Sequence, residues 1–235
     1  MTVKYKEVAR ILEKQIVNNE YAETMKLPTE DELIETFKVS RNTVRHAIET
    51  LVKLGLVVPI QGSGVFIREK PQDGSISLEA FQGLTDGFKK ADIKTEVIAF
   101  ELIEANEDIA KHLNLAVGDP VYYIERVRHL NDKPYVFEVS YYNKKVIVYL
   151  SQEIIEGSIY RYIREDLNQQ MGYVYRVISA EKLSSKHAKH LGLKAGEPTL
   201  VTTNTAMLKS GVVFDYSIDY HHFENASFLK LANFI

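Results

Sequence analysis

Residues 27–55 read Leu27-Pro28-Thr29-Glu30-Asp31-Glu32-Leu33-Ile34-Glu35-Thr36-Phe37-Lys38-Val39-Ser40-Arg41-Asn42-Thr43-Val44-Arg45-His46-Ala47-Ile48-Glu49-Thr50-Leu51-Val52-Lys53-Leu54-Gly55, and they contain two helix starts in succession. Thr29 with Glu32 three positions on is a capping box. The hydroxyl serves the third amide of a new helix and the carboxylate reaches back. Leu33, Ile34 and Phe37 form the buried face of that helix, which ends near Lys38. Ser40 caps the next one, whose inward residues Val44, Ala47, Ile48, Leu51 and Leu54 recur at helical spacing until Gly55 stops it. Two short helices joined by a tight turn, the second opening on basic residues, predict a helix-turn-helix. Arg41, Asn42 and Arg45 lie off the apolar stripe and so project outward. Arginine suits the paired acceptors of guanine, while Ser40 and Thr43 are short donors for phosphate oxygens. An ordinary solvated helix face accounts for these few residues equally well; the flanking segments separate the two readings.

Upstream, Val8, Ile11, Leu12 and Ile16 recur at helical spacing and predict an amphipathic helix over 4–19. Downstream, Leu56-Val57-Val58-Pro59-Ile60 and Val65-Phe66-Ile67-Arg68 flank Gln61-Gly62-Ser63-Gly64, a small hairpin whose glycine-rich tip could approach a phosphate backbone. Alone it is a turn; directly after a helix-turn-helix it is a wing. Charge agrees locally. The whole chain is at −3, but 36–70 carries six bases against Glu49 and Glu69, whereas 20–35 carries six acids against Lys26. DNA affinity depends on the face that meets phosphate and not on the total.

The remaining composition narrows the class. The chain has 235 residues, 45% of them hydrophobic and 26% charged, which suits two globular domains. No apolar run approaches the ~18 residues of a membrane span, and the start lacks the pattern of a signal peptide. The absence of cysteine removes disulfides and thiolate metal sites and suits a reducing cytoplasm. His187-x-x-His190 and His221-His222 have no third ligand at a sensible spacing, so they read as helix and loop residues and no metal or cofactor is expected.

Leu27-Pro28-Thr29-Glu30, Ser40-Arg41-Asn42-Thr43-Val44-Arg45, Leu54-Gly55 and Gln61-Gly62-Ser63-Gly64-Val65-Phe66 resemble the GntR family of bacterial transcription regulators, in order and at the family's spacing over residues 4–68. The resemblance implies a winged helix-turn-helix over 1–69 that contacts double-stranded operator DNA through Ser40, Arg41, Asn42, Thr43, Arg45, Gln61 and Gly62. Many relatives carry an arginine that touches DNA where this chain has Asp31, so altered operator preference or weaker binding is expected here. A symmetric operator needs two readers about one helical turn or a multiple apart, which predicts a homodimer joined mainly through the C-terminal domains.

Residues 70–78 have linker composition. Beyond them the chain repeats itself. Ala110-Lys111-His112-Leu113-Asn114-Leu115 before Gly118-Asp119-Pro120 recurs 78 positions later as Ala188-Lys189-His190-Leu191-Gly192-Leu193 before Gly196-Glu197-Pro198. Each copy precedes two strand-like runs, so 79–235 reads as two helix-plus-hairpin halves around one antiparallel sheet. Phe137-Glu138 and Phe214-Asp215 then look like equivalent positions, whereas Arg126 and Arg128 face Asn204 and Ala206 and belong to the first half alone. Residues two apart on a strand share a face, so the two arginines point the same way and call for anions. Acids of the same domain, such as Glu125, Glu138 or Glu181, or a phosphate or carboxylate ligand, would meet that demand.

This half resembles the effector-binding (UTRA) domain of the HutC subfamily, through Gly118-Asp119-Pro120, Arg126-Val127-Arg128, Lys133-Pro134, Glu138-Val139-Ser140-Tyr141 and Ser158-Ile159-Tyr160. It implies a chorismate-lyase-like α+β domain, giving a two-domain α/β chain, and a small-molecule effector of sugar-phosphate type. By that resemblance Arg126, Arg128, Ser158, Tyr160 and the loop Gly83-Leu84-Thr85 hold the phosphate, while Glu138 and Asp215 hold sugar hydroxyl or amino groups. Relatives have a Tyr-Arg-Gly-Asp-like run where this chain has Tyr220-His221-His222-Phe223. The rival class is an enzyme using Glu138 and Asp215 as an acid/base pair. No nucleophile elbow, metal motif or phosphate-binding Gly-Lys-Ser/Thr loop accompanies them, and the expectation is a regulator released from DNA by its effector, not a catalyst.

Overall fold

The computed structural model describes residues 4–68, 75–78, 83–88 and 91–230. The chain divides into two compact units, Met1–Ala80 with Leu229–Ile235 and Phe81–Phe228. No described helix is long and apolar enough to cross a membrane.

In the first unit three helices, α1 (Lys4–Val17), α2 (Glu30–Phe37) and α3 (Arg41–Lys53), precede a hairpin of β1 (Val57–Ile60) and β2 (Gly64–Ile67). Thr29 and Glu32 form both halves of the capping box, and Ser40 Oγ accepts from Thr43 N at 3.3 Å. α2 stops at Lys38, where the pattern placed its end, and the lysine adopts the left-handed conformation (φ 50°). α3 ends where Gly55 turns left-handed (φ 69°). Leu12, Leu33, Val44, Ala47, Leu51 and Val57 are fully or almost fully buried in one core. Ala9 joins this core, while Ile11 is only half-buried, because the inward stripe of α1 runs through Val8, Ala9, Leu12 and Ile16. Within the stretch read as linker, Ser75–Ser77 form a short strand, β3, and Leu78 N donates to Leu229 O at 2.8 Å.

The second unit contains α4 (Gly83–Gly87), β4 (Ile93–Glu104), α5 (Glu107–Leu113), β5 (Pro120–Leu130), β6 (Lys133–Asn143), α6 (Gln152–Glu156), α7 (Ile159–Glu165), β7 (Met171–Lys182), α8 (Ser185–Leu191), β8 (Pro198–Leu208) and β9 (Val213–His222); a short β10 (Ser227–Leu229) follows. Six strands form one antiparallel sheet in the order β4-β5-β6-β9-β8-β7. Each half is a strand, a helix and a hairpin, and the halves meet where β6 pairs β9.

The repeat is legible in backbone detail. Asn106 and Ser184 cap α5 and α8, and Asn114 and Gly192 end them in the left-handed region. Gly118 and Gly196, at φ 89° and 86°, donate to Ala105 O and Leu183 O, while Asp119 and Glu197 side chains accept from the backbone N of Ala116 and Lys194. The recurring Gly-acid-Pro is therefore a turn that delivers a helix into a strand, with proline at the strand's first position where no ladder donor is lost. One face of the sheet is covered by α5 and α8, packed on residues such as Val121, Tyr216, Val127 and Phe137. The other carries α6 and α7 on Tyr122, Ile124, Tyr142 and Ala206.

Candidate functional site

In the first unit the outward face of α3 is as the pattern requires. Val44, Ala47 and Leu51 face the core, and Arg41, Asn42 and Arg45 are exposed. Ser40 and Thr43 are tied to each other, Oγ to Oγ1 at 2.9 Å, so their hydroxyls belong first to the cap. Gln61 and Gly62 stand exposed at the hairpin tip, where φ of 76° at Gly62 and 115° at Gly64 makes the turn a glycine position. Both arginines lie against the first turn of α2. Arg45 Nε donates to both oxygens of Glu30 at 3.1 Å, and Arg41 Nη2 donates to Asp31 at 2.6 Å.

In the second unit the pleat puts a set of polar residues on the α6–α7 face. Paired positions share a face, and the rungs Arg126↔Glu138, Glu138↔Asp219, Tyr142↔Asp215, Asn204↔Ser217, Thr202↔Asp219 and Arg176↔Asn204 run across all the inner strands. Burying so many polar groups is costly unless each finds a partner, and the partners can be followed one by one.

Arg126 is satisfied. Nε donates to Glu138 Oε2 and Nη1 donates to Ile155 O at 2.6 Å, at the end of α6. Burial works against both charges, yet each holds the other ionised: Glu138 stays below the ordinary carboxylate range through Arg126 and Arg128, and Arg126 is raised through Glu138. Arg128 is not satisfied. Its Nη2 donates to Thr85 Oγ1 at 2.8 Å, but its buried Nε has no hydrogen-bond partner among the described residues. Burial, then repulsion by Arg126, pushes Arg128 down to about 10.

The acids of the second half behave oppositely. Asp215 accepts from Tyr160 OH at 2.5 Å through Oδ2, while buried Oδ1 lacks a partner among the described residues. Burial pushes Asp215 up to about 8, against the Tyr160 hydrogen bond, with Asp219 and Glu138 adding to the rise. Asp219 Oδ2 accepts from Thr202 Oγ1 at 3.0 Å and Asn204 Nδ2 at 2.7 Å, and burial with Glu138 opposite raises it to about 7. Arg176 Nε donates to Asn204 Oδ1 at 2.6 Å. His221 faces the same cluster, its Nε2 3.1 Å from Thr202 Oγ1, and burial followed by Arg176 pushes it down to about 3, so the imidazole is neutral. Arg126 and Arg128 thus face Glu138, which they hold ionised, while burial drives Asp215 and Asp219 toward their protonated forms. The cluster leans positive around Arg128.

Of the residues proposed from sequence, Thr85, Arg126, Arg128, Glu138, Tyr160 and Asp215 enter this cluster through the contacts above. Gly83 lies beside Tyr160, since a Cβ there would sit 4.0 Å from Tyr160 Cβ. Ser158 caps α7 by accepting from Arg161 N at 3.3 Å, and half-buried Leu84 has no polar side-chain atom to contribute. The equivalence of Glu138 and Asp215 does not survive the ladder. Helices and first strands of the halves are offset by 78, so Arg126 corresponds to Asn204. The partner of Asn204 is Ser217, whereas Asp215 lies opposite Ala206. The two acids sit at different rungs because β6 and β9 carry their Phe-acid pairs two residues out of step with the pairing.

Arg176, Thr202 and Asp219 were missed, Asn204 was named only as the position facing Arg126, and His221, read with His222 as a helix or loop residue, lies on strand β9. Asp219 and His221 had a signal, for positions 215, 217, 219 and 221 alternate on one face. Tyr220 packs on His187 on the opposite side, and His222 Nδ1 accepts from Glu224 N.

A helix-turn-helix with exposed basic readers, joined in one chain to a domain holding a buried, unbalanced polar cluster, defines a DNA-binding regulator with a sensing domain. The comparisons agree. The model of the bacterial regulatory proteins of the gntR family matches residues 4–67, and that of the UTRA domain matches residues 89–226. The HTH-type transcriptional regulator YydK of Bacillus subtilis is 32% identical over 231 residues, covering 98% of each chain. The crystal structure of YydK superposes with a TM-score of 0.83 at 31% identity, covering 99% of this chain and 100% of that one. The mannosyl-D-glycerate transport/metabolism system repressor MngR of Escherichia coli is 28% identical over 97% of this chain and 95% of its own. The chain belongs to the GntR family of transcription regulators, with a UTRA domain at its C-terminal side, a family of DNA-binding regulators and not of enzymes.

Proposed function

We propose that this regulator is a homodimeric repressor, working in the cytoplasm and released from its operator by a small anionic metabolite, with a phosphorylated sugar as the first candidate. Ser40, Arg41, Asn42, Thr43, Arg45, Gln61 and Gly62 form the DNA-contact set, supported by the exposure of Arg41, Asn42, Arg45, Gln61 and Gly62. The effector reading rests on one observation: Arg128 is a buried cation whose Nε has no partner among the described residues and whose neighbour Arg126 already has its counter-charge in Glu138. An anion beside Arg128 would supply that hydrogen bond and relieve the repulsion between the two guanidiniums.

Thr85 bonds Arg128, with Gly83 and Leu84 on the same short helix and Ser158 and Tyr160 at the start of α7, while Glu138, Asp215, Asp219 and Asn204 offer acceptors and donors for hydroxyl or amino groups. That mixture suits a polyhydroxylated anion. A relative named for mannosyl-D-glycerate, a sugar bearing a carboxylate, supports the same class. An organic acid is the second reading, favoured because, of the adjacent pair Arg126 and Arg128, Arg126 already has its counter-charge in Glu138. The effector shifts the population between DNA-binding and non-binding states, which requires different affinity for the two. For the dimer, edge strands β4 and β7 carry exposed Leu102, Tyr173 and Tyr175, apolar surface suited to a second copy.

Thermal unfolding against a panel of sugar phosphates and organic acids tests the effector class. A shift caused by a sugar phosphate, with release of bound DNA and no turnover, is the expected result. A shift with organic acids alone would select the second reading, and no shift by any anion would overturn both. Light scattering on the eluting protein checks the dimer.

A further inference from the structure

Two adjacent acids at the start of α2 grip the two arginines of α3 by different atoms. Glu30 takes Arg45 at Nε, with both carboxylate oxygens at 3.1 Å. The Nη1 and Nη2 fork of Arg45 then has no partner among the described residues and remains available to pair with two acceptors on a base edge. Asp31 instead takes Arg41 at the fork itself, 2.6 Å from Nη2, and Glu30 stands 3.5 Å from Nη1. The side chains of Arg41 and Arg45 are similarly exposed, 53% and 55%, so the difference lies in which nitrogens are engaged and not in burial.

We propose that Asp31 is a specificity-determining residue of DNA recognition: it masks the reading fork of Arg41, while Glu30 positions the fork of Arg45 for use. The proposal rests on the DNA-contact set given above. An exposed ion pair is weak, so the mask is a modest competitor that DNA must displace. A helix-start acid also stabilises α2 through its dipole, a structural role that predicts a change in melting temperature and none in base preference.

The two substitutions Asp31→Asn and Glu30→Gln remove the same charge from neighbouring positions. If the acids merely repelled phosphate, both variants would bind DNA more tightly. The proposal demands opposite signs. The probe is a duplex selected from a randomised pool by the wild-type protein, with titrations at several salt concentrations. Asp31→Asn should tighten binding by up to about fivefold per subunit at low salt, the worth of a surface ion pair. Selection repeated with Asp31→Asn should show a new base preference next to the one Arg45 reads. Glu30→Gln should weaken binding and relax preference at the Arg45 position.

Shifts of equal sign in the two variants, or an unchanged base preference in Asp31→Asn, would overturn the proposal. Arg45→Ala is the control on the underlying reading. Should it bind the selected duplex like the wild type, the contact set itself fails and the mask with it. Should it lose binding while Asp31→Asn changes nothing, the mask alone fails. Melting curves of each variant establish that it is folded.

Discussion

Replacing Arg128 by methionine should make the ligand-free sensing domain more stable. The side chain is 3% exposed, and burial with repulsion by Arg126 pushes its guanidinium down to about 10 in the folded chain. At about 1.4 kcal/mol per pH unit, holding that charge in the fold costs about 3 kcal/mol. Because the folded value lies below the unfolded one, the whole penalty is present at any pH well under 10 and fades only as pH rises between the two values. Methionine keeps most of the apolar stem and removes the charge and the unpaired Nε. Against this stands the hydrogen bond to Thr85, worth about 1 kcal/mol, together with the second positive neighbour of Glu138. The net gain is then about 1–2 kcal/mol, or roughly 2–4 °C in melting temperature for each kcal/mol in a domain of this size.

Arg126→Met should do the reverse. It would leave Glu138 buried without its partner, a loss of about 3–5 kcal/mol. Both variants should lose the effector response. The assay is urea and thermal unfolding at pH 7 on protein unfolded, dialysed and refolded to strip any bound metabolite. An Arg128→Met protein less stable than the wild type by 1 kcal/mol or more would refute the argument that Arg128 is a cation kept for a ligand. It would show instead that Arg128 is a paired structural residue.

Three further outcomes follow from particular contacts. Asp215 and Asp219 have folded values of about 8 and 7 against 3.8, so the folded state holds protons that the unfolded state has released. Stability of the sensing domain should therefore fall as pH rises from about 5 to 8, by about 1.4 kcal/mol per pH unit for each group over its window, and Asp215→Asn should flatten the dependence; unfolding midpoints measured between pH 5 and 8 check this. Arg45→Ala should lower operator affinity by about 1–3 kcal/mol while leaving effector binding intact, as titrations of both ligands would show. Ser40→Ala removes the α3 cap and should cost about 1 kcal/mol of stability in the DNA-binding unit, read by urea unfolding of the full chain.

What could be read without coordinates divides along a physical line. Local rules settled the first unit, because each of its elements announces itself within a few residues. Thr29 with Glu32, Ser40, and Gly55 mark starts and stops whose chemistry does not depend on the rest of the chain. The end of α2 near Lys38 was legible from where its apolar face stops, but the left-handed backbone there was not, since lysine has no signature for it. The repeat of the second unit was legible because turns such as Gly118-Asp119-Pro120 are local too, and two helix-plus-hairpin halves around one antiparallel sheet followed from it.

The polar cluster was only half legible, and the missing half has one cause. Reading Arg126 and Arg128 as sharing a face needs a single strand, whereas joining Glu138 to Asp219, or Arg176 to Asn204, needs the register between strands far apart in sequence. Register is set by turns and bulges that composition does not report. A bulge falls between Arg128 and His129 in one hairpin and between Ala206 and Met207 in the other, at corresponding places. Those paired bulges fix Asn204 as the counterpart of Arg126 and move Asp215 off the rung that similarity of Phe137-Glu138 and Phe214-Asp215 had suggested. The consequence is chemical as well as geometric. With Ser217 at the rung where symmetry would put a carboxylate, the second half has no acid opposite its counterpart of Arg126, and its acids, at 215 and 219, have no guanidinium opposite them on the ladder. They are consequently the groups that burial drives toward protonation, while Glu138, facing Arg126 directly, stays ionised. One approximate twofold thus yields a cationic end around Arg128 and a proton-holding end around Asp215, and a ligand spanning the two needs an anion at one extremity and hydrogen-bonding groups at the other.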